Sequence, residues 1–562
     1  MRNLHALALA AALAPVVAAQ APAAQGAAAD LVLKNATVWT LDARRPSAEA
    51  VAVRGNRIVA VGTSAELAPL VGPATRVLDL AGHTVVPGLK ESHGHFLGIG
   101  QARMAIDLVG AASYDEVVAR VRPAVAAAKP GEWLLGRGWH EEKWTALPAG
   151  AVRGFPTHDA LSAASPQNPV YLVRADGHAA LVNAKAMELM GLGPKTQPPA
   201  GGELIKDAAG RPTGILVDRA MGLVKVPPPT QDQLRRAFEL AQEEALRKGI
   251  TAFDDAGVGT DVAALYEELA GGGKLQLRLY VMLRGLEGAR RFGQPKIGLA
   301  GGLLTIRAIK LSADGALGSR GAALHEPYAD DAGNSGFFTT PPAEILETAR
   351  FALANGFQLC VHAIGDRANT AVLDAFETAL REHPEAKDPR FRDEHAQILD
   401  ARDVPRFAKL GVIASMQGIH CTSDRPWAPA RLGEARVAEG AYVWRKLLAS
   451  GARIINGTDA PVEDVDPIPS FFASVTREGA DGRPAGGFDP AQRMTREEAL
   501  RSYTLEGAYG TFTEKDAGSI EPGKLADFTV LSKDILTVPE EEILQAHVTH
   551  TIVDGKLRYE RK

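Results

Sequence analysis

Residues 84–96 read TVVPGLKESHGHF, an apolar run that leads into two histidines separated by one glycine. In a β-strand successive side chains alternate between the two faces, so His93 and His95 are expected to point to the same side. Two imidazoles that converge in this way can grip a metal ion, and Gly94 between them adds no bulk and lets the backbone approach a bound group. A single His-x-His pair is weak evidence, because chance pairs are common. The remaining ligands have to be found elsewhere in the chain.

The middle of the chain alternates buried-type strands with helical stretches, which is typical of a parallel sheet. Helical patterns such as residues 234–248 lie between several of the strands. An α/β fold closed as a (β/α)₈ TIM-type barrel is the economical arrangement of eight such strands. The candidate strands are residues 84–89, 250–254, 275–283, 303–311, 358–362, 391–395, 412–416 and 453–456.

The two ends of the chain differ from this middle part, because both consist of short β-like runs punctuated by Gly, Asn, Pro and Asp. We expect residues 30–82 and 517–562 to form one small β-sandwich domain from both termini. Residues 83–516 would then form the barrel. The interval from about residue 100 to 230 is too long for one βα unit and is interpreted as an inserted subdomain after the first barrel strand.

The amino-acid composition limits the kinds of partner that this protein is expected to bind. The chain has 562 residues, with 62 Lys and Arg against 67 Asp and Glu, and a net charge of −5. This balance shows no electrostatic footprint for nucleic acid or for an anionic membrane surface, so a small-molecule substrate is expected. With Cys360 and Cys421 as the two cysteines, at most one disulfide could form, and buried free thiols are the simpler interpretation. A homo-oligomer is compatible with the sequence.

Residues 1–19 predict a secretory signal peptide. They begin with Arg2, continue with an Ala/Leu run from Ala6 to Ala14 and end in small residues at Val17-Ala18-Ala19. A disordered or anchoring N-terminus is the alternative, since the first residues carry little positive charge. Nothing later in the chain offers the ~18 consecutive apolar residues that a transmembrane helix requires. We therefore expect a periplasmic or secreted protein with no membrane association once the signal is removed.

Polar side chains stand where five of the predicted strands end, the position at which such barrels carry their chemistry. Their residue types, imidazole, amine and carboxylate, suit a metal site. Some also have a structural explanation, since His362 could be a satisfied core histidine and Lys310 could pair with Asp314. Coincidence at five strand ends is harder to accept, so a metal site is favoured. The residues are His93, His95, Lys310, His362, His395 and Asp459.

The order of these motifs resembles the amidohydrolase superfamily, in particular its long-insertion branch, amidohydrolase family 3, which includes N-substituted formamide deformylases. The resemblance covers nearly all of residues 30–560. Two departures stand out: Lys90-Glu91 replaces an apolar residue and Asp, and Gly418 replaces a common Pro. The matching segments are residues 86–89, 92–96, 136–139, 174–178, 202–203, 212–214, 310–316, 361–366, 394–396 and 458–462.

The resemblance implies one or two divalent metal ions, with zinc as the expected element. His93, His95 and Asp459 would hold the first ion, and His362 and His395 would hold the second. Lys310 would bridge them as an N-carboxylated lysine, because a neutral amine that adds CO2 becomes a carbamate with anionic oxygens. An unmodified Lys310 that orients substrate or pairs with Asp314 is the alternative and would leave a mononuclear site.

The expected reaction is attack of a metal-bound hydroxide on a carbonyl group, with Asp459 as the general base and acid. His178 and His420 lie in family-like motifs and could donate hydrogen bonds to the oxyanion, or could instead stabilise loops of the insertion. The expected substrates contain non-peptide C–N bonds, as in amides, formamides or cyclic amides. The alternatives are an esterase or lactonase on the same site, or a non-catalytic periplasmic binding protein.

Overall fold

The structure is a computed structural model that describes residues 28–141, 144–174, 179–199, 202–318 and 320–562. The predicted signal peptide, residues 1–19, lies outside the described residues and stays a prediction. None of the helices in the described ranges is both long and apolar enough to cross a membrane.

Eight parallel strands form a barrel, and each pairs with the next one along the chain. The last and first strands are joined at the rim, where the Asp459 amide donates to the His93 carbonyl over 2.8 Å. The predicted TIM-type fold is therefore confirmed. The strands are Leu89–Gly94, Ile250–Val258, Arg278–Arg284, Leu304–Ser312, Gln358–Ala363, Arg392–His395, Ile413–Gln417 and Arg453–Gly457.

The first barrel strand is not the one predicted. Residues Thr84–Pro87 lie in a separate sheet, parallel to Thr37–Trp39 and antiparallel to Phe528–Leu531. The barrel strand begins only at Leu89, after Gly88, whose amide bonds to the Asp527 carbonyl. The prediction failed because Thr84–Pro87 and the start of the barrel strand are both buried, so hydrophobicity does not separate them.

Glu91 fastens the closing edge of the barrel. Its carboxylate accepts hydrogen bonds from the Thr458 amide at 2.8 Å and from the Thr458 hydroxyl at 2.9 Å. It also accepts the His93 amide at 3.1 Å. A single buried carboxylate therefore ties the strand that carries His93 to the loop that carries Asp459.

Gly457 leaves the space that the Glu91 carboxylate requires to make these hydrogen bonds. A Cβ at residue 457 would overlap the Glu91 carboxylate and lie 2.8 Å from the His93 amide nitrogen. We expect Gly457→Ala to lower the unfolding free energy by about 1–3 kcal/mol, as overpacking does, and to lower metal content. Thermal unfolding and metal analysis measure both effects. Gly193→Ala is the control, because a Cβ there meets open space. Equal stability of the two variants would contradict the role of Gly457 in making room for Glu91.

Helices cover the outside of the barrel. The longest one before the second strand, Gln231–Arg247, starts with a capping box between Thr230 and Gln233. Its apolar face, which includes Phe238, packs in the main core against Phe96. The helices around the barrel are Phe96–Met104, Gln231–Arg247, Thr260–Gly271, Gly285–Phe292, Leu299–Gly302, Pro342–Asn355, Asp366–Glu382, Val404–Leu410, His420–Ser423, Ala428–Leu432, Glu434–Gly440, Trp444–Ala449, Pro467–Thr476, Arg496–Ser502 and Leu505–Gly510. The short strand Lys296–Gly298 pairs with the fourth barrel strand.

Strands from both ends of the chain build two further sheets. The four-stranded sheet comes from the N-terminal part alone, whereas the six-stranded sheet combines both ends. Their facing side chains, including Val38, Val51 and Phe528, share one apolar core. The strands are Leu31–Lys34, Thr37–Trp39, Ser47–Ala48, Ala50–Arg54, Arg57–Gly62, Arg76–Asp79, Thr84–Pro87, Phe528–Leu531, Val548–Val553 and Lys556–Glu560, with helices Ser64–Leu67 and Glu540–Ile543.

The segment between the first and second barrel strands contains a six-stranded sheet with its own core. Trp139 and Trp144 are buried in that core, and the Trp139 indole donates to the Leu172 carbonyl over 2.8 Å. The strands are Ile106–Asp107, Leu134–Trp139, Val170–Arg174, Ala179–Val182, Gly202–Lys206 and Pro212–Asp218, and the helices are Tyr114–Ala127, Asp159–Ala164 and Ala184–Leu189.

Candidate metal centre

The six predicted ligands lie at the carboxyl-terminal rim of the barrel. Asp459 follows the eighth strand, which ends at Gly457, and His95 is the N-cap of the helix Phe96–Met104. The other four are residues of the first, fourth, fifth and sixth strands: His93, Lys310, His362 and His395.

Three of these side chains form a compact buried group. The ligand atoms of His93, His395 and Asp459 all lie within 4.8 Å of one another. Nζ of Lys310 is 3.5 Å from Nε2 of His93. Nε2 of His95 is 3.2 Å from Oδ1 of Asp459, although the His95 side chain is 42% exposed. Imidazole and carboxylate groups at these separations can share one divalent cation.

The fifth strand adds His362 at the side of this group. Its ring centroid is 4.6 Å from that of His395, and its Nε2 is 3.5 Å from Oδ1 of Asp314. Asp314 itself accepts the amides of Ile364 and Gly365 at 3.0 and 2.8 Å, so it is not the partner of Lys310 that one interpretation of the sequence suggested.

Two ligand histidines are oriented by hydrogen bonds to their other nitrogen. Nδ1 of His93 lies 2.5 Å from Oε2 of Glu394, and Nδ1 of His395 lies 2.7 Å from Oε1 of Gln417. When Nδ1 is the donor, Nε2 carries a lone pair, which is the form that binds metals. Glu394 and Gln417 therefore leave both Nε2 atoms available as ligands.

Backbone geometry turns two of the side chains toward the rim. His395 and Asp459 have φ angles of +79° and +60°, a region that non-glycine residues rarely adopt. Such conformations persist where the surroundings impose them, and they occur at functional sites. His395 is the last residue of its strand, and both His395 and the preceding Glu394 are buried.

The charges of the group are suited to a cation. Burial raises the pKa of Asp459, but the neighbouring imidazoles of His95, His93 and His395 outweigh burial and hold that pKa below its usual range. Burial, together with the charge of Lys310, lowers the pKa of His93 to about 4. Burial also lowers the pKa of Lys310. The centre thus offers an ionised carboxylate and neutral imidazoles, which are the forms that coordinate metals.

Buried nitrogen atoms that make no hydrogen bond test whether these residues fit a metal ion. Among the residues that the structure describes, Nε2 of His362 and Nε2 of His420 are buried and make no hydrogen bond. Buried polar atoms are normally satisfied, so each such atom calls for an explanation. The donor set around His395 fits a divalent cation, which would satisfy Nε2 of His362.

The structure bears differently on the other residues for which the sequence suggested a role, His178, His420 and Gly94. His178 lies outside the described residues, so its proposed role stays a prediction. His420 is buried beside the centre, with its ring centroid 6.1 Å from that of His395. Gly94 serves packing, because a Cβ there would lie 2.6 Å from Cζ of Phe253. The expectation that Gly94 leaves room for a bound group is therefore replaced by close packing of two strands.

Sequence reasoning assigned no role to Glu394 or Gln417. The available signal was their position, since both are polar residues within strands that are otherwise buried. A buried polar side chain inside a barrel strand needs a partner. What the pattern does not reveal is that one partner of Glu394, His93, lies 301 residues away.

Asp393, on the same strand, allows a prediction about pH. The side chain is fully buried, and burial, with the charges of Glu394 and Asp314, raises its pKa well above the usual range. The folded protein therefore retains a proton that the unfolded chain, with a carboxyl pKa of about 3.9, has released at neutral pH. This contribution to stability is full below pH ~4 and is lost as the pH rises through the folded-state pKa.

We expect Asp393→Asn, a neutral isostere, to abolish the loss of stability that Asp393 causes as the pH rises. The melting temperature of the variant should match the parent near pH 4 and exceed it by roughly 1–3 °C at pH 8. Thermal unfolding of both proteins across this range measures the difference. A difference that does not change with pH would contradict the assignment.

Comparison with known proteins now places the chain. A model of the amidohydrolase family matches residues 76–559. The chain belongs to the amidohydrolase family. The protein LONG AFTER FAR-RED 3 of Arabidopsis thaliana is 33% identical over 548 residues, which are 95% of this chain and 92% of that protein. An N-substituted formamide deformylase of Arthrobacter pascens is 32% identical over 555 residues, 95% of this chain and 98% of that protein.

The fold is shared with a solved structure. The crystal structure of an uncharacterized metal-dependent hydrolase from Pyrococcus furiosus superposes with a TM-score of 0.75 at 30% identity, and the match covers 90% of this chain and 100% of that one. The predicted resemblance to the amidohydrolases is confirmed. Family membership assigns hydrolysis as the class of reaction, and the buried histidine and aspartate group is the candidate site for it.

Proposed function

We propose that this protein is a zinc-dependent hydrolase of non-peptide C–N bonds, acting on amides, formamides or cyclic amides. The observation that carries the proposal is the buried group of His93, His395 and Asp459 at the rim of a barrel in the amidohydrolase family. The match to an N-substituted formamide deformylase over 95% of the chain supports C–N bonds as the target. The metal-dependent hydrolase of Pyrococcus furiosus supports a metal requirement.

In this proposal His93, His95 and Asp459 would hold one ion, and His362 and His395 would hold a second. Lys310 would contribute to both as a carbamate. Burial lowers the pKa of Lys310, so its amine is more readily neutral and able to add CO2. In that reaction Nζ forms a bond to carbon and loses a proton, and the product carries anionic oxygens. Its Nζ lies 3.5 Å from Nε2 of His93, so the amine is close to a proposed ligand of the first ion.

The residues of the chain would divide the work of amide hydrolysis. A bound zinc ion supplies Lewis-acid chemistry, since it lowers the pKa of water to about 7 and polarises a carbonyl group. Asp459 accepts the proton of the attacking water and delivers it to the leaving nitrogen. Its depressed pKa keeps the carboxylate ionised before the attack. Nε2 of His420, which makes no hydrogen bond to the described residues, would donate to the oxyanion.

A hydrolysis screen tests the proposed function. Zinc-loaded and metal-stripped protein are assayed against N-formyl, N-acyl, cyclic amide and ester compounds, and bound metal is counted in parallel. We expect one to two zinc equivalents and turnover of at least one amide class, lost on stripping and restored by zinc. Turnover of esters alone would show instead that the protein is an esterase or lactonase. Absence of bound zinc after loading would overturn the proposal and favour a binding protein.

A further inference from the structure

Four charged side chains lie inside the barrel beneath the metal centre. They are buried and come from the first, second and sixth strands, and their charges alternate in sign along a chain of contacts. We call this set the ionic column; it comprises Lys90, Asp254, Arg392 and Glu394.

The upper end of the ionic column touches a predicted ligand. Arg392 donates to both carboxylate oxygens of Glu394, from Nε at 2.6 Å and from Nη2 at 3.1 Å. Oε2 of Glu394 then lies 2.5 Å from Nδ1 of His93. A two-point contact of this kind fixes the plane of the carboxylate as well as its charge. Burial raises the pKa of Glu394, but Arg392 and His93 outweigh burial and hold that pKa below its usual range.

The lower end extends the chain of contacts away from the metal centre. Nη1 of Arg392 donates to Oδ2 of Asp254 over 2.8 Å. Oδ1 of Asp254 forms an ion pair of 2.6 Å with Nζ of Lys90. Nζ of Lys90 also donates to the Thr511 hydroxyl over 3.1 Å. Lys90 and Thr511 both line a cavity at the opposite end of the column from the metal centre.

The energetics explain why the column is a unit. A charge buried without a partner is strongly destabilising, so an ionised Glu394 requires a cation beside it. Arg392 supplies that cation and in turn has Asp254 as its second anion. Lys90 neutralises Asp254, which brings the total formal charge of the four side chains to zero. Lys90 occupies a position at which the resemblance to the superfamily predicts an apolar residue, and Asp254 is the carboxylate that this lysine meets.

Arg392 also connects the column to the backbone of the first strand. Its Nη2 donates to the Ser92 carbonyl and, at 3.1 Å, to the Ser415 hydroxyl. Loss of Asp254 would leave Nη1 without its acceptor, so the guanidinium group could turn. Its two contacts to Glu394 would then loosen, and with them the contact to His93.

We propose that Lys90, Asp254 and Arg392 are positioning residues of the metal centre, which act through Glu394 to hold His93 with Nε2 directed at the metal. The inference rests on the proposed function, because it assumes that His93 binds zinc. None of the three residues is required to touch the metal or the substrate. Their contribution is to the affinity for the ion and to the geometry of its site.

The test compares zinc affinity in three full-length variants: Asp254→Asn, Lys90→Met and the double variant Lys90→Met/Asp254→Asn. Competition with a chromophoric chelator gives the dissociation constant, and the visible spectrum of the cobalt-substituted protein reports site geometry. We expect Asp254→Asn to weaken zinc binding about 10–100-fold, the usual effect of losing an outer partner of a ligand. The double variant should bind zinc no more weakly than Asp254→Asn, because it also removes the unpaired lysine, and both should alter the cobalt spectrum.

Asp527→Asn is the matched control. It breaks another ion pair with little exposure, Arg278–Asp527 at 2.6 Å, which is not part of the column, so it should leave the zinc affinity and the cobalt spectrum of the parent unchanged. If Asp254→Asn fails to fold, the zinc affinity of the double variant Lys90→Met/Asp254→Asn, which removes one charge of each sign, tests the inference instead. Zinc affinity equal to the parent in the folded variants, even with lower thermal stability, would overturn the inference while the proposed function stands. Failure of the parent to bind zinc would instead overturn the proposed function.

Discussion

Asp459→Asn is expected to reduce kcat by at least about 10²–10⁴-fold on the substrate identified by the screen. The aspartate is proposed as both a metal ligand and the group that accepts a proton from water. An amide oxygen can still coordinate a cation weakly, but it cannot accept and return a proton at neutral pH. The depressed pKa of Asp459 shows that its surroundings, His95, His93 and His395, favour the charged form despite burial, and the variant loses that charge.

Turnover and metal content have to be measured on the same samples, because loss of metal alone would also abolish activity. Assays at saturating zinc separate the two effects. Asp403→Asn is a suitable control, since Asp403 is a buried carboxylate that accepts hydrogen bonds from Thr370 and Arg406, away from the centre. Near-normal turnover of Asp459→Asn with full metal content would refute the proton-transfer role.

Lys310→Ala is expected to lose bound metal and to reduce kcat/KM at least about 10²–10³-fold, since several kcal/mol of charge stabilisation depend on the ions. The side chain is buried between strands and approaches His93, so its removal leaves a polar cavity beside the proposed ions. An unmodified ammonium group would repel cations. Loss of metal on its removal therefore distinguishes a carbamate from a lysine that only binds substrate.

Chemical rescue sharpens this test. If Lys310 is carboxylated, acetate or propionate should enter the cavity of Lys310→Ala, supply the missing oxygens and restore part of the metal content and activity. Rescue by methylamine, with no effect of acetate, would indicate an unmodified lysine. Lys296→Ala, which removes a lysine paired with Glu267 on the outside of the barrel, should behave like the parent with either additive.

Much of the barrel could be predicted from the sequence. Parallel strands buried on both faces appear as short apolar runs, so seven of the eight intervals were placed correctly apart from their ends. The first interval failed at Pro87-Gly88, where the chain passes from one sheet to another without any loss of hydrophobicity. Neighbouring residues could not show this, because one of the two partner strands of Thr84–Pro87 is Phe528–Leu531 at the other end of the chain.

The candidate ligands were also accessible from the sequence, because their chemical type and their place at strand ends are local properties. Their arrangement was not. The predicted grouping of His93 with His95 and Asp459 stays a prediction, while the described geometry brings His395 to within 4.8 Å of His93 and Asp459. Distances across a barrel depend on strand stagger and on the unusual φ of His395, which no local pattern encodes.

The sequence by itself determined which residues could bind a metal and that parallel strands would present them at one rim. Only the tertiary structure decided how those residues are held. Glu394 meets His93 from 301 positions away, and Thr458 meets Glu91 from 367 positions away. Hydrophobic periodicity specifies which face of a strand is buried. It does not specify which side chain of another strand a buried residue will contact. That contact depends on how the barrel closes, because closure sets the strand register and the pairing of buried charges at the same time.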